Sequence, residues 1–252
     1  MATEDFNSMA ASLPDPFRLL VREQAGSTND ELRLLAETGA SEGLILLAEN
    51  QTAGRGRRGA AWFSPTGESL AFSILLRPQE PKAWWPRLAL ATGLAVAEAL
   101  ESFGLEAGIK WPNDIWMRQR KAAGILVESG KDFVIIGIGL NVNTLVFPPE
   151  VADIATSLHL EGGRPFLRPD VLGAIIQRLA ARRFQIGSEF SVLLDAVRLR
   201  CVLTGQRVSL LSSSGLKIGW VEGISPTGEL TLRTRSGIEH LMQADEIRLM
   251  PP

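Results

Sequence analysis

Apolar residues recur along the chain with two spacings, which predict a mixture of strands and helices. Short apolar runs predict strands at 17–21, 44–48, 69–77, 109–111, 115–117, 124–127 and 133–142. Apolar positions three and four residues apart predict helices between Thr28 and Gly39 and over 85–103, 170–184 and 188–200. The strands between 109 and 142 have short links, which favour antiparallel neighbours. We therefore expect an α+β fold with a mixed, largely antiparallel sheet and flanking helices.

Capping residues and helix breakers define the ends of these helices. Thr28 and Glu31 have the spacing of a capping box, and Gly39 is predicted to end the helix that they begin. Ser188 is predicted to cap helix 188–200. The stretch 148–168 has mixed signals with proline and glycine, so we predict a loop that includes a short helix at most.

The pattern changes after Gly205. Four short β-like runs follow at 206–211, 216–222, 229–235 and 238–249, joined by turns at 212–215, 226–228 and 236–237. They predict a small β-barrel that is too short to bury a core alone and therefore docks on the larger unit. The predicted organisation is an extension over 1–16, a main domain over 17–200 and the barrel over 201–252.

Composition narrows the class of protein. The 252 residues are 45% hydrophobic and carry a formal net charge of -2, so a sizeable core is expected and generic nucleic-acid binding is not. The single cysteine, Cys201, excludes an internal disulfide and is predicted to pack in the core. Residues 1–16 lack the pattern of a secretory signal, and no apolar run approaches the ~18 residues needed to span a bilayer. We expect a cytoplasmic protein without a membrane anchor.

The segment with the most informative chemistry is residues 51–59, which reads QTAGRGRRG and follows a predicted buried strand. Its glycines allow close approach to a ligand, and its arginines add fixed positive charge. These residues are Gly54, Gly56 and Gly59, with Arg55, Arg57 and Arg58. The segment predicts a loop that closes over a phosphate or a carboxylate. A solvated basic turn is the alternative interpretation.

Two further clusters carry polar groups at predicted turns. Lys110 and Asp114 bracket a turn that contains Asn113, a group suited to a nucleotide base or phosphate, with Asp114 near a magnesium ion. Lys121 opens a predicted strand and could project its ammonium into a cleft. A structural turn and a solvated lysine are the alternatives for these two clusters.

Three other features have both a structural and a functional interpretation. Ser27, Thr28 and Asn29 lie at a helix start, where they could cap the helix, bind a ligand or do both. Trp62 follows the glycine loop and could wall an apolar ligand or pack in the core. Gly139, like Gly137, lies inside a predicted strand, which indicates a bulge or a group pressed against the backbone, such as a pocket floor.

Together and in this order, these motifs closely resemble the catalytic domain of biotin protein ligases. The matching stretches are 27–29, 51–59, 62–65, 110–114, 121–128 and 137–141, within a resemblance that runs from about Val21 to Asn143. GRGRRG, followed by KWPND and then by K-x-x-GILVE, is far more specific than one short motif. The resemblance implies a catalytic domain like those of biotin ligases and class II aminoacyl-tRNA synthetases, followed by an SH3-like barrel.

The resemblance implies a two-step reaction. Biotin reacts with ATP, with Mg²⁺ present, to give biotinyl-5′-AMP and pyrophosphate. A lysine of the biotin carboxyl carrier protein of a biotin-dependent carboxylase then attacks the adenylate and releases AMP. Biotin, ATP and the carrier protein are thus the implied ligands and partners, and a homodimer through an exposed edge strand is possible.

The resemblance also implies roles for individual residues. The implied catalytic residues are Lys121 and Arg57. The implied biotin site consists of Ser27, Thr28, Asn29, Gln51, Gly54, Arg55, Gly56, Arg57, Trp62, Lys121 and Gly139. The implied ATP or adenylate contacts are Arg55, Arg57, Arg58, Lys110, Asn113 and Asn141, and Asp114 is the candidate Mg²⁺ ligand.

Several alternatives stay open at this point. A lipoyl or octanoyl protein ligase would share the fold and the target-lysine chemistry, although GRGRRG and KWPND favour biotin. A nucleic-acid-binding module and a biotin sensor without catalysis are less compatible with the net charge and with Lys121. About twenty residues precede the first matching strand, too few for the winged-helix domain of some family members, so we expect the ligase-only form.

Overall fold

The structure is a computed structural model that describes residues 5–212 and 215–251. Residues 1–4 of the predicted extension, residues 213–214 of the predicted turn at 212–215, and residue 252 lie outside the described residues. The larger sheet has seven strands: β1 (Arg18–Ala25), β2 (Leu44–Gln51), β3 (Ser69–Leu76), β4 (Gly108–Lys110), β5 (Asp114–Met117), β6 (Arg120–Ser129) and β7 (Val134–Asn141).

The strand order in this sheet is β1-β2-β3-β7-β6-β5-β4. β1 and β2 pair in parallel, and each later neighbour pairs antiparallel. The prediction of a mixed, largely antiparallel sheet is therefore confirmed. The inner strand β3 is buried at every position, which explains why its sequence is almost continuously apolar.

Helices cover both faces of this sheet. They are α1 (Phe6–Ala10), α2 (Thr28–Glu37), α3 (Leu88–Glu101), α4 (Leu158–Gly162), α5 (Arg168–Arg182) and α6 (Phe190–Leu199), with 3₁₀ turns at Arg57–Gly59, Lys82–Arg87 and Arg183–Ile186. The main core lies between the sheet and α3 and α5. On the opposite face, Leu32 of α2 packs with Leu46, Leu75 and Ile135 in a smaller cluster.

The observed helix ends show that two of the predicted caps are wrong. The capping box is wrong, because Ser27 occupies the N-cap of α2 and the hydroxyl of Thr28 donates to Gln51 instead. Ser188 does not cap α6, which begins at Phe190 with Glu189 at its N-cap. Gly39 follows α2 with a φ of 99°, a conformation that favours glycine, so its predicted role in ending the helix is confirmed.

The C-terminal sheet contains five strands in the order β11-β10-β9-β8-β12. They are β8 (Arg207–Ser212), β9 (Gly215–Ile224), β10 (Leu230–Thr234), β11 (Gly237–Leu241) and β12 (Glu246–Leu249). Neighbouring strands are antiparallel, which fits a small barrel-like unit. The predicted run 238–249 is two strands, because residues 242–245 break it.

This second sheet docks on the larger unit, as the sequence predicts. The indole of Trp111 donates to the carbonyl oxygen of Gly228 at 3.0 Å, and Arg198 donates to the carbonyl oxygen of Ile224. One hydrophobic cluster continues through both units. Cys201 packs against this cluster, in agreement with its predicted role, and the boundary between residues 200 and 201 stays a prediction. Across the described residues, no helix is both long enough and apolar enough to cross a membrane.

Candidate active site

A cleft of about 750 Å³ opens between the larger sheet and the C-terminal sheet. Its wall includes the start of α2, the glycine loop, the turn before β5, the faces of β6 and β7, and the segment that leads into β12. The cleft therefore collects segments that are far apart in the sequence.

Most of the predicted site residues line this one cleft. The lining includes Ser27, Thr28, Asn29, Gln51, Arg55, Gly56, Arg57, Trp62, Lys110, Asn113, Asp114, Lys121, Gly139 and Asn141. Of the predicted residues, Gly54 and Arg58 are not part of the lining. The cationic loop and the Lys121 ammonium thus share a cavity, as the predicted chemistry requires.

A buried polar network forms one end of the cleft. The amide of Thr28 donates to Oε1 of Gln51 at 2.9 Å, and the side-chain amide of Asn29 donates to Glu128 at 2.7 Å. The hydroxyl of Ser73 has oxygens of both Thr28 and Asn29 within 2.7 Å, and its one proton goes to either acceptor. Sequence analysis missed Ser73 and Glu128 because a serine inside an apolar strand and a glutamate at a strand end carry no local signal.

Glycines form a flat floor beneath this network. At Gly137, a Cβ atom would overlap the side chain of Asn29, and at Gly139 it would overlap the indole of Trp62. Gly139 pairs with Gly124 across β6 and β7, and a Cβ at Gly124 would lie 3.3 Å from the same indole. The predicted close contact against the strand backbone is therefore confirmed, and the contacting groups are Asn29 and Trp62.

Trp62 both packs against the protein and lines the cleft. Its ring lies on the bare backbone of Gly139, and the Lys121 ammonium is 5.6 Å from the ring centroid. Within the described residues, its buried indole nitrogen has no hydrogen-bond partner. An aromatic face, a nearby ammonium and an unused donor therefore meet at one point of the cleft.

Two lysines flank this point. The ammonium of Lys121 lies 2.7 Å from Oδ1 of Asp114. The ammonium of Lys110 lies 4.2 Å from the ring centroid of Trp116. Burial lowers the pKa of Lys110, and the neighbouring charge of Lys121 acts in the same direction, whereas Asp114 opposes the shift.

The three arginines of the glycine loop point in different directions. Arg55 forms ion pairs with Asp30 and with Glu128, the latter at 3.2 Å. Burial opposes protonation of Arg55, but these two carboxylates outweigh it and the pKa of Arg55 is raised. Arg57 donates to Oδ1 of Asn113 at 3.1 Å.

The remaining contacts tie the same loop to the C-terminal unit. Arg57 also donates to the carbonyl oxygen of Ala244 at 2.9 Å, and burial lowers the pKa of Arg57. Arg58 pairs with Asp245. The loop therefore holds the half-buried cation of Arg57 in the cleft wall, whereas Arg58 is outside that wall and pairs with Asp245.

The two predicted asparagine contacts are already hydrogen-bonded within the protein. Asn113 donates to the carbonyl oxygen of Ile125 at 2.7 Å while accepting from Arg57. Asn141 is buried and donates to the carbonyl oxygen of Thr156 at 3.0 Å. These bonds support a positioning role for both side chains, and their contact with ATP stays a prediction.

An apolar rim completes the cleft. It contains Phe63, Phe147, Val151 and Ile154. The rings of Phe63 and Phe147 meet edge to face with centroids 6.5 Å apart. Val151 and Ile154 lie in the stretch 148–168, which has no motif and is predicted to be a loop, and Phe147 directly precedes it.

The predicted magnesium ligand has a cationic partner. Asp114 is paired with Lys121, and no group of three histidine, cysteine, aspartate or glutamate residues that could hold a metal occurs in the described residues. This donor set does not fit a metal site built by the protein alone. Magnesium would therefore have to bind with oxygens of the nucleotide, and the role of Asp114 as its ligand stays a prediction.

Comparison with known proteins agrees with this architecture. Residues 21–143 match the Biotin/lipoate A/B protein ligase family. The bifunctional ligase/repressor BirA of Bacillus subtilis is 34% identical over 236 residues, which cover 90% of this chain and 73% of that protein. The biotin–[acetyl-CoA-carboxylase] ligase of Mycobacterium tuberculosis is 36% identical over 222 residues, which cover 85% of this chain and 83% of that protein.

A solved structure agrees over nearly the whole fold. The biotin protein ligase from Aquifex aeolicus in complex with biotin and ATP superposes with a TM-score of 0.84 at 33% identity, covering 92% of this chain and 99% of that chain. Identity at this level over most of both chains shows common ancestry as well as a common fold. The chain belongs to the family of biotin protein ligases.

Proposed function

We propose that this protein joins biotin to ATP as biotinyl-5′-AMP and transfers the biotinyl group to a lysine of a biotin carboxyl carrier protein. The observation that carries the proposal is the shared cleft, in which the Arg57 guanidinium and the Lys121 ammonium face the same cavity. The relatives named above and the solved complex with biotin and ATP support the same activity.

Charge is the first requirement of this reaction. A carboxylate must approach a triphosphate, and negative charge grows on the phosphoryl oxygens as the new bond forms. The cleft offers Lys110, Lys121 and Arg57 on its walls. Arg57 has two uncharged oxygens as its hydrogen-bond partners, so its positive charge is not cancelled by direct pairing. Fixed cations of this kind stabilise the transition state more than they would in water.

The polar end of the cleft suits the ureido ring of biotin. That ring needs both donors and acceptors, and the network around Thr28, Asn29 and Gln51 provides both. The indole of Trp62 and the bare backbone of Gly139 offer apolar faces for the fused rings and the tail. We assign the biotin site to this part of the cleft.

The apolar rim suits the base of the nucleotide. Adenine has two flat faces, and Phe63, Phe147 and Ile154 present apolar side chains at the cleft edge. Lys110 and Asn113 line the same cleft. We assign the base to the apolar rim and the phosphates to the cationic groups of the wall.

The second step needs an open approach for the carrier lysine. Its neutral amine attacks the acyl carbon of the adenylate, the bond to the phosphate oxygen breaks, and AMP leaves with that electron pair. The Lys121 ammonium has two protons that Asp114 does not use, and these would stabilise the leaving phosphate. Magnesium, brought with ATP, would supply further positive charge in the first step.

Three finer assignments belong to the same proposal. The partner is the carrier protein of acetyl-CoA carboxylase or of a similar carboxylase, and the compartment is the cytoplasm. A homodimer through an exposed edge strand is compatible with the sheets, whose edge strands are β1 and β4 in one and β11 and β12 in the other. These assignments await measurement.

Incubation with ATP, Mg²⁺, biotin and a carrier domain tests the proposal by the mass of the carrier. We expect a carrier that gains one biotinyl group only when ATP is present. Parallel reactions with lipoate and octanoate separate the rival ligase activity, and modification by either acid in preference to biotin would refute the assignment. Pyrophosphate release without a carrier isolates the first step and excludes a sensor without catalysis.

A further inference from the structure

Two adjacent residues of the C-terminal unit hold two adjacent arginines of the glycine loop. The carbonyl oxygen of Ala244 accepts from Arg57 at 2.9 Å, and the carboxylate of Asp245 pairs with Arg58. The bonded groups of Arg57 and Ala244 are 187 residues apart in the sequence. The segment between β11 and β12, which belongs to the C-terminal unit, therefore binds the glycine loop of the larger unit.

Arg58 lies outside the wall of the cleft, whereas its partner Asp245 is part of that wall. The side chain of Arg58 is 51% exposed, and it is absent from the cleft wall although both Arg55 and Arg57 belong to it. Its backbone has a φ of 57°, in the left-handed region that non-glycine residues adopt at a cost. A contact of the Arg58 side chain is therefore needed to stabilise this backbone conformation, and the Asp245 carboxylate provides it.

Asp245 is well suited to that attachment. Its side chain is only 13% exposed, and its Oδ1 atom is buried without a hydrogen-bond partner among the described residues. Arg58 is the cationic partner of this carboxylate among the described residues, so loss of the pair would leave a largely desolvated charge without compensation. The pair acts as a fixed point for the loop.

The fixed point determines where Arg57 lies. Arg57 directly precedes Arg58 in the chain. Its guanidinium donates both to Asn113 of the larger unit and to Ala244 of the C-terminal unit. Among the described residues, no carboxylate accepts a hydrogen bond from Arg57, so an anionic ligand meets its charge directly. A shift of the Arg58 backbone would move this guanidinium relative to Lys121.

We infer that Asp245 is a positioning residue for the glycine loop, acting through Arg58 to keep Arg57 over the reacting groups. The inference rests on the proposed function for its kinetic consequences, but its structural part does not. It also assigns Arg58 to anchoring the loop, in place of the ATP contact that the family resemblance implies. The expected consequence is a loop that shields the adenylate from water only while the ion pair is intact.

Hydrogen exchange in the protein without substrates tests the structural part. Asp245→Asn keeps the size of the side chain, and Arg58→Gln removes the charge from an exposed residue. We expect amide exchange over residues 54–59 to rise about tenfold in either variant and to rise no further in the double variant. Glu222→Gln is the matched control, because it breaks an Arg–carboxylate pair with Arg233 within the C-terminal sheet.

Kinetics test the consequence for the reaction. We expect each variant to release about three to ten times more AMP per modified carrier lysine, because the adenylate reaches water. If Arg58 contacts ATP directly, Arg58→Gln raises the KM for ATP while Asp245→Asn does not, and the inference fails. Unchanged exchange in both variants, or additive effects in the double variant, would also overturn it.

Two further outcomes are informative. Should Asp245→Asn unfold the C-terminal sheet, Arg58→Gln decides alone, because exchange must rise over 54–59 and not over β8–β12. If the wild-type protein releases no pyrophosphate from biotin and ATP, the proposed function fails while the exchange result still stands. The two failures are therefore distinguishable.

Discussion

The ammonium nitrogen of Lys121 lies 2.7 Å from Oδ1 of Asp114, and both residues line the cleft. The carboxylate uses one of the three ammonium protons and fixes the direction of the side chain. The other two protons are free to bind an anion that enters the cleft. A single ion pair therefore orients the group that we assign to the reacting phosphate and carboxylate.

Replacement of Lys121 should abolish most adenylate formation. Removal of one donor of this kind costs about 10²–10³ in rate, so Lys121→Ala should slow pyrophosphate release by that factor. The fold should persist, because the ammonium is at the cleft surface and Asp114 stays partly exposed. Lys131→Ala is the control, since Lys131 lies exposed in the turn after β6. Near-wild-type release by the Lys121 variant would contradict the assignment.

Substitution of Asp114 distinguishes its two candidate roles. If the carboxylate orients Lys121, Asp114→Asn should lower the rate about tenfold, the equivalent of one charge-assisted hydrogen bond, at every magnesium concentration. If the carboxylate binds magnesium, the variant should instead need much more Mg²⁺ for half-maximal pyrophosphate release. The ion pair with Lys121 favours the first result, and a magnesium titration of both proteins decides.

Gly139 should not tolerate even one added methyl group. Its Cβ would overlap the indole of Trp62, so Gly139→Ala must displace a side chain of the predicted biotin site. Overpacking typically costs 1–3 kcal/mol, and the same cost in binding would lower biotin affinity by about fivefold to more than a hundredfold. Titration calorimetry measures this change.

Gly93→Ala is a matched control for that experiment. Gly93 lies within α3, and its added Cβ would have neighbours no closer than 3.8 Å. Alanine also favours helix by up to about 1 kcal/mol over glycine, so thermal stability should hold or rise and biotin affinity should not change. Equal biotin affinity in the two variants would argue against a biotin site beneath Trp62.

Local sequence signals account for most of the fold. Apolar runs predict the strands of the larger sheet best where the strand is buried, as β3 is along its whole length, whereas β1 buries only Ala25. Gly39 ends α2 through a positive φ angle of 99°, a conformation that glycine adopts readily because it has no side chain. The predicted capping box is wrong because Thr28 of α2 hydrogen-bonds to Gln51 of β2. The capping rule considers only neighbouring residues, so it cannot include this partner.

The candidate site likewise contains some residues that local sequence motifs identify and others that they do not. Lys121 and Arg57 are recognisable because their motifs are short and contiguous. Ser73 contributes to the polar network through contacts 44 and 45 residues away, and Asp245 contacts the loop from the C-terminal unit. The partners of Ser73 depend on how α2 packs on the larger sheet, and the contact of Asp245 depends on how the two sheets dock; the spacing of residues in the sequence encodes neither.

The lowered pKa of Lys110 should limit activity at high pH. Burial disfavours the charged ammonium, so Lys110 loses its proton at a lower pH than an exposed lysine. Below the folded pKa, the buried charge reduces stability relative to the unfolded chain. As pH rises from the folded pKa to the unfolded value of about 10.4, that cost is relieved and stability increases. Binding of a phosphate to this side chain should weaken over the same window.

Replacing Lys110 with arginine should therefore extend the pH range over which the protein is active. Lys110→Arg keeps its charge throughout this window, so the alkaline rise in the KM for ATP should move to higher pH in the variant. Lys131→Arg controls for the general effect of the substitution, because Lys131 is exposed and outside the cleft. Steady-state pyrophosphate release from pH 7 to about 10.4 measures both profiles. Identical alkaline limbs in wild type and Lys110→Arg would mean that the charge on Lys110 does not bind the nucleotide.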